Sequence, residues 1–239
     1  MKPFIFKQFT VLQDKSAMKI GTDAVLLGAW CSLKHSPDTI LDIGSGTGII
    51  SLMLAQRSNA STIEAIEIDE FAYEQSVENF ERSDWGDRLF CYHGDFNTLV
   101  EEIVEEEETY DLIVSNPPFY TENYKTKDQS RNKARFSESL PFQDLIEGSS
   151  RLLSKNGVLA VIIPCKEENI FIKLATNYKL NLKRVCRVKG NINSDVKRSL
   201  LEFSFDKLTC TEEELTIEQK RHQYTDAYTR LTKDFYLKM

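Results

Sequence analysis

With 239 residues, 41% of them apolar and 28% charged, the chain can bury a substantial core and has the make-up of an ordinary globular domain. It has no run of 18 apolar residues, and its first residues, MKPFIFKQFT, lack the apolar core and cleavage site of a secretory signal, so neither a membrane span nor export is expected. The five scattered cysteines form no C-x-x-C pair and the three histidines have no ligand spacing, which argues against a disulfide framework or a metal enzyme and for a reduced, cytoplasmic setting.

From residue 39 onward, strand and helix signals alternate. TILDI (39–43) is a short apolar strand entering a glycine-rich turn, and IISLMLAQR (49–57) follows as a helix. TIEAIEI (62–68) alternates as a strand. In DEFAYEQSVENFERS (69–83) the spacing of Phe71, Ala72, Val77 and Phe80 predicts a helix with those residues on its inner face. RLFCYH (88–93) and YDLIVS (110–115) are further strands, and the glutamate-rich EEIVEEEE (101–108) between them reads as a solvated helix end. PFQDLIEGSSRLL (141–153) is a helix opened by proline, and GVLAVIIP (157–164) is a strand buried on both faces. A helix near 166–178 and the strands NLKRVCRVKG (181–190) and RSLLEFSF (198–205) come next.

This order predicts an α/β, Rossmann-like fold: a mostly parallel sheet with helices on both faces. The last two strands have no helix between them, which predicts an antiparallel edge. Residues 1–239 form a single domain on this reading. It comprises an N-terminal segment (1–38), a core (39–205) and a helical C-terminal extension (206–239), where Tyr224, Tyr228 and Leu231 recur at helical spacing.

Residues suited to chemistry gather where strands end. LDIGSGTG (41–48) sets Gly44, Gly46 and Gly48 directly after the first strand, where a chain without Cβ atoms can turn tightly and let a ligand approach its backbone. The helix that follows offers unpaired N–H groups. A G-x-G-x-G alone would also suit a dinucleotide. The neighbouring acids shift the balance. Asp42 beside the loop would repel a pyrophosphate but attract an ammonium group. Glu67, ending the second strand, suits ribose hydroxyls. Asp95, followed by Phe96 in HGDF, suits the amino group of an adenine. Together they describe a nucleoside carrying a zwitterionic amino acid, and S-adenosylmethionine fits better than a nicotinamide dinucleotide.

SNPPFY (115–120) ends the fourth strand on an amide and two rigid residues. Ligands of open α/β sheets bind outside the carboxyl ends of the strands, so this motif borders the same crevice as the glycines. The Asn116 side-chain oxygen and the Pro117 carbonyl can both accept hydrogen bonds from one –NH2 group. Pro118 stiffens the loop, and Phe119 offers a ring face for a planar substrate. Beyond it, Tyr120, Tyr124 and Phe136 surround Lys125, Lys127, Arg131, Lys133 and Arg135, a mixture suited to an unpaired RNA loop. Residues 173–198 hold eight Lys or Arg and one acid, although the whole chain carries a net charge of −7. Phosphate attraction is local, so Lys183, Arg184, Lys197 and Arg198 are a second candidate RNA contact.

These motifs resemble those of the N-P-P-[FYW] amino-methyltransferases. The motif alone does not choose among adenine N6, cytosine N4, guanine N2 and protein glutamine. The flanks FIFKQFTVLQDKSAMKIGTDAVLLGAW (4–30) and YTDAYTRLTKDFYL (224–237), with SNPPFY, are similar to the bacterial tRNA1(Val) adenine-N6 methyltransferases. That resemblance implies a seven-stranded Rossmann-like sheet, S-adenosylmethionine as cofactor and methyl transfer to adenine 37 in the anticodon loop of a tRNA. It also implies a cofactor pocket covered by Lys19, Gly21, Thr22 and Asp23. The glutamate run at 101–108 departs from the family pattern as a surface insertion. Two alternatives stay open: a guanine-N2 rRNA or release-factor glutamine methyltransferase, and a noncatalytic RNA-binding protein of the same fold. No feature of the sequence sets an oligomeric state.

Overall fold

A computed structural model describes residues 2–118 and 140–239. Phe119, Tyr120, Tyr124, Arg131, Lys133, Arg135 and Phe136 lie outside the described residues. The chain opens with a two-stranded antiparallel pair, β1 (Phe4–Ile5) and β2 (Thr10–Val11), followed by α1 (Thr22–Trp30). Strand–helix units follow: β3 (Thr39–Ile43), α2 (Ile49–Arg57), β4 (Thr62–Glu67), α3 (Glu70–Glu81), β5 (Leu89–His93), α4 (Phe96–Glu105) and β6 (Tyr110–Ser115). After the undescribed stretch come α5 (Phe142–Leu152), β7 (Leu153–Pro164) and α6 (Glu168–Asn177). The chain then forms β8 (Asn181–Asn191), β9 (Val196–Ser204), β10 (Thr211–Lys220), β11 (Gln223–Tyr224) and α7 (Asp226–Thr232).

The main sheet runs β11-β10-β8-β9-β7-β6-β3-β4-β5. Its strands are parallel except β9, antiparallel to both neighbours, and β11, antiparallel to β10. Adjacent residues of one strand point to opposite faces, so each central strand feeds two cores. Ile40, Ile63, Leu112 and Ile162 pack with α1, α2, α3 and α7 on one face. Leu41, Ile66, Ile113 and Ile163 pack with α4, α5 and α6 on the other. This is the expected Rossmann-like class.

Three expectations are corrected. Among the described residues the sheet has nine strands, not seven. The antiparallel strand of the C-terminal half, β9, lies inside the sheet between β7 and β8, and the edge falls to β11. The extension after 206, expected to be helical, supplies β10 and β11 as well as α7. The sequence TEEELTIEQK hides β10 because acids occupy most of its alternating positions. Glu212 and Glu214 pair with Arg187 and Lys189 on β8, at 2.8 and 2.9 Å. The acidic strand is therefore joined to β8 by cross-strand ion pairs as well as by the buried Leu215.

Candidate active site

Because β3, β4 and β6 are parallel, they end at one edge of the sheet. Ile43 lies opposite Ile66 on one side and Ser115 on the other. Gly44, Glu67 and Asn116, one residue further along each strand, therefore leave the sheet side by side. Ser115 ties this junction with a hydrogen bond from its hydroxyl to the Ile43 carbonyl (2.9 Å). Asn116 is half-buried, Pro117 buried and Pro118 exposed.

The loop after β3 turns through positive φ at Gly44 (73°), Gly46 (60°) and Gly48 (75°). A Cβ added at Gly44 or Gly46 would meet nothing within 4 Å, so this part of the loop faces open space. Gly48 has a different role: a Cβ there would lie 2.5 Å from the Phe80 ring, so this glycine admits α3 rather than a ligand.

Glu67 closes the cradle from below. One carboxylate oxygen accepts the Gly46 N–H (2.8 Å) and the other the Asp69 N–H (3.0 Å). Burial raises its pKa, and these backbone donors offset part of the rise. Each oxygen keeps a second lone pair for a hydroxyl. Asp42 is fully buried. Its Oδ2 accepts the Ser51 N–H (3.2 Å) and hydroxyl (2.7 Å), while Oδ1 has no protein partner. Burial pushes its pKa up to about 7 against those two hydrogen bonds. An open glycine cradle with two carboxylates beneath it fits a nucleoside bearing a cationic amino acid.

Asp95 caps α4, its Oδ1 accepting the N–H groups of Asn97 and Thr98 at 3.0 and 3.2 Å, and it stays exposed at the same edge. Phe96 does not line the cradle with its ring. It is 5% exposed and packs in the core under α5, against Gly148.

The inner face of α3 includes Ala72 and Phe80, as the spacing predicts, but not Phe71 or Val77. Phe71 is 61% exposed, and the buried positions are Ala72, Gln75, Ser76, Asn79 and Phe80. Three of these are polar because they hold backbone. Ser76 donates to the Gly46 carbonyl (3.1 Å), and Asn79 Nδ2 donates to Thr47 O (2.8 Å) and Leu12 O (2.9 Å). Asn79 Oδ1 accepts the Leu12 N–H and Gln75 Oε1 the Lys15 N–H. One helix face thus fastens the N-terminal segment to the glycine loop. The helical spacing 72, 75, 76, 79, 80 was available in the sequence, but a search for apolar periodicity passes over it.

Lys19 holds its own segment, its Nζ donating to the carbonyls of Gln13 (2.7 Å) and Ser16 (2.6 Å). Gly21 and Thr22 are exposed at the start of α1. Asp23 meets Arg198 at 2.8 Å. Two residues expected to face different partners, cofactor and RNA, are therefore joined in one ion pair. Lys197 is exposed on the same edge of the sheet. Lys183 and Arg184 are not brought there. They sit at the start of β8, the opposite edge, and Arg184 lies over the Trp30 ring (3.8 Å) with Glu202 at 3.0 Å. Among the described residues no helix is long and apolar enough to cross a membrane. No group of three or more His, Cys, Asp or Glu among them is arranged to hold a metal ion.

Comparison with known proteins extends over the whole chain. Residues 16–170 match the family described as Methyltransferase small domain. The tRNA1(Val) (adenine(37)-N6)-methyltransferase of Christiangramia forsetii is 59% identical over 238 residues, covering 100% of this chain and 99% of that protein. The protein of the same name from Flavobacterium psychrophilum is 58% identical, covering 99% and 100%. In fold, the chain is similar to the crystal structure of a predicted O-methyltransferase from Agrobacterium tumefaciens, with a TM-score of 0.69 at 18% identity over 89% of this chain and 96% of that one.

Proposed function

This chain belongs to the tRNA1(Val) (adenine(37)-N6)-methyltransferase family, and from that membership we propose that it methylates N6 of adenine 37 in the anticodon loop of tRNA1(Val), in the cytoplasm, using S-adenosylmethionine. The observation that supports this most directly is the strand register that sets Asn116 beside the open Gly44–Gly46 cradle. Gly44, Gly46, Asp42 and Glu67 would hold the cofactor's amino-acid and ribose portions, and Asp95 its adenine amino group. Bound there, S-adenosylmethionine would supply an electrophilic methyl group on a sulfonium.

The chain's own contribution is placement. An exocyclic amine on an aromatic base is a weak nucleophile because its lone pair is delocalised into the ring. The Asn116 side-chain oxygen and the Pro117 carbonyl would accept its two hydrogens, favouring the electron-rich, pyramidal nitrogen. Pro117 and Pro118, with φ fixed near −65°, keep those acceptors from adjusting to a poorer geometry. The nitrogen becomes acidic once alkylated, so no strong base has to be positioned. Phe119 is assigned to the face of the base, which must leave its stack to enter.

Asn116→Ala is expected to lower kcat by about 10²–10³-fold, the cost of losing one well-aimed polar group. S-adenosylmethionine affinity, measured by calorimetry, should change little. Undiminished turnover would remove Asn116 from the mechanism. Nucleoside mass spectrometry of tRNA from a deletion strain tests the substrate: the loss of N6-methyladenine at position 37 is expected, and an unchanged tRNA with a missing rRNA guanine methyl would move the activity elsewhere.

A further inference from the structure

The strands beyond β7 carry many of the chain's cations, and those near the ends of these strands differ in their partners. Arg184, Arg187, Lys189 and Arg198 are each held by a carboxylate, on Glu202, Glu168, Glu214 and Asp23, at 2.6 to 3.0 Å. Arg187 has a second partner in Glu212. Lys197, Lys220 and Arg221 are exposed, and among the described residues none has a carboxylate within ion-pair distance.

These three share one edge, whereas Lys183 and Lys207, also without an ion pair among the described residues, lie toward the opposite one. β10 runs parallel to β8, with Glu218 opposite Asn191, and Lys220 is its last residue. Pro164, the last residue of β7, lies opposite Arg198, which in turn faces Val188. β8 therefore continues three residues past the end of β7, about 10 Å at the rise of a strand. The β8–β9 and β10–β11 turns overhang the edge from which Gly44 and Asn116 leave the sheet. Four interstrand spacings separate β6 from β10, about 19 Å. Ile192, 62% exposed, and Tyr224, 44% exposed, add an apolar contact and a ring beside the cations. Asp195 is the one exposed acid on the β8–β9 turn, and Glu218 receives the His222 N–H at 3.2 Å.

We propose that this overhanging wing is a second RNA-contact surface, on which Lys197, Lys220 and Arg221 bind phosphates flanking the target nucleotide. The inference rests on the reading above that the substrate is RNA. Internal carboxylates neutralise Arg184, Arg187, Lys189 and Arg198, whereas Lys197, Lys220 and Arg221 at the tips are left for a partner that brings its own negative charge. Lys220 and Arg221 at the end of β10 lie about 19 Å from β6, and Lys197 on β9 lies two spacings, about 10 Å, away, so all three are placed for the backbone beside the reacting base. Unpaired cations with an adjacent exposed ring are the combination that recognises RNA backbone and unstacked bases.

The test is tRNA binding by the full chain across a salt series, with Lys155→Ala, at the opposite edge of the sheet, as control. K220A/R221A should weaken binding about tenfold at low salt and reduce the slope of log Kd against log salt by about one per cation removed. Lys197→Ala should act in the same sense, by one step in the slope. The loss should fall on KM for tRNA rather than on kcat, and K220R/R221K should restore it. Two results would overturn the inference: wild-type affinity and slope in both alanine variants, or a loss that salt does not modulate. If the wild-type chain leaves adenine 37 of tRNA unmethylated, the reading of the substrate fails instead.

Discussion

At the scale of single residues, Asp42 shows the fold holding an acid against its preference. Burial raises its pKa to about 7, more than the two hydrogen bonds from Ser51 lower it. Below about pH 4 the carboxyl is protonated in both folded and unfolded chains. Between about pH 4 and 7 only the unfolded chain ionises, so Asp42 makes stability fall as pH rises through that window, by up to about 4 kcal/mol. Asp42→Asn keeps an acceptor for Ser51 while leaving an amide group unpaired at a cost of about 1–3 kcal/mol. The variant should therefore have a flatter stability profile between pH 4 and 7, and at pH 8 should exceed wild type by about 1–3 kcal/mol. Urea unfolding across this range would reveal it, and a wild-type slope in the variant would contradict the account. The position of Asp42 beside the loop was legible in the sequence; its burial was not, because the helix and strands that cover it arrive from elsewhere in the chain. Asp95 could be read two ways, as ligand or as helix cap, and the structure shows the cap while leaving the residue exposed at the site edge.

At the scale of elements, the strand β8 reads as a basic surface only when taken alone. Arg184 donates to both oxygens of Glu202, which is 1% exposed, and to the Trp30 carbonyl at 2.6 Å. Glu202 also accepts the Ser32 N–H. Removing the cation leaves a buried carboxylate unpaired, so Arg184→Ala should cost about 3–5 kcal/mol in unfolding free energy. The affinity of this variant for tRNA, measured on the folded fraction, should remain within about twofold, because the guanidinium is already engaged by Glu202 and the Trp30 carbonyl. A tenfold loss of tRNA affinity at unchanged stability would return Arg184 to the RNA surface. Glu168 behaves similarly: burial would raise its pKa, but Arg187 and Ser199 hold it below the ordinary value. These partners lie far from each other in sequence, Asp23 and Arg198 by 175 positions. Charge counting along the chain cannot distinguish a cation with an internal partner from one without.

At the scale of the whole molecule, the residues after 205 are part of the core rather than an appendage. Leu215, Tyr228 and Phe235 are each at most 6% exposed and belong to the same cluster as α1 and α2. β10 also covers the outer edge of β8 and neutralises two of its cations. Burial of three such side chains contributes about 5–9 kcal/mol, comparable to the total stability of a domain. A chain ending at residue 205 should therefore be recovered insoluble or without a cooperative unfolding transition. A monodisperse truncated chain with a sharp thermal transition would show that β10, β11 and α7 are dispensable for folding.

By itself the sequence determined the alternation of strands and helices between residues 39 and 205, the glycine loop, the acids at the strand ends and the placement of Asn-Pro-Pro after the fourth of those strands. These follow from local rules of backbone freedom and alternation, which act over a few residues. The tertiary structure decided what those rules cannot reach. It buried Gln75, Ser76 and Asn79 beside Ala72 and Phe80 on α3, because the loop and the N-terminal segment needed backbone partners. It also enlisted an acidic strand to complete the sheet and sorted the cations into those with internal carboxylates and those without. Each of these depends on which distant residues meet, and only the folded chain brings them together.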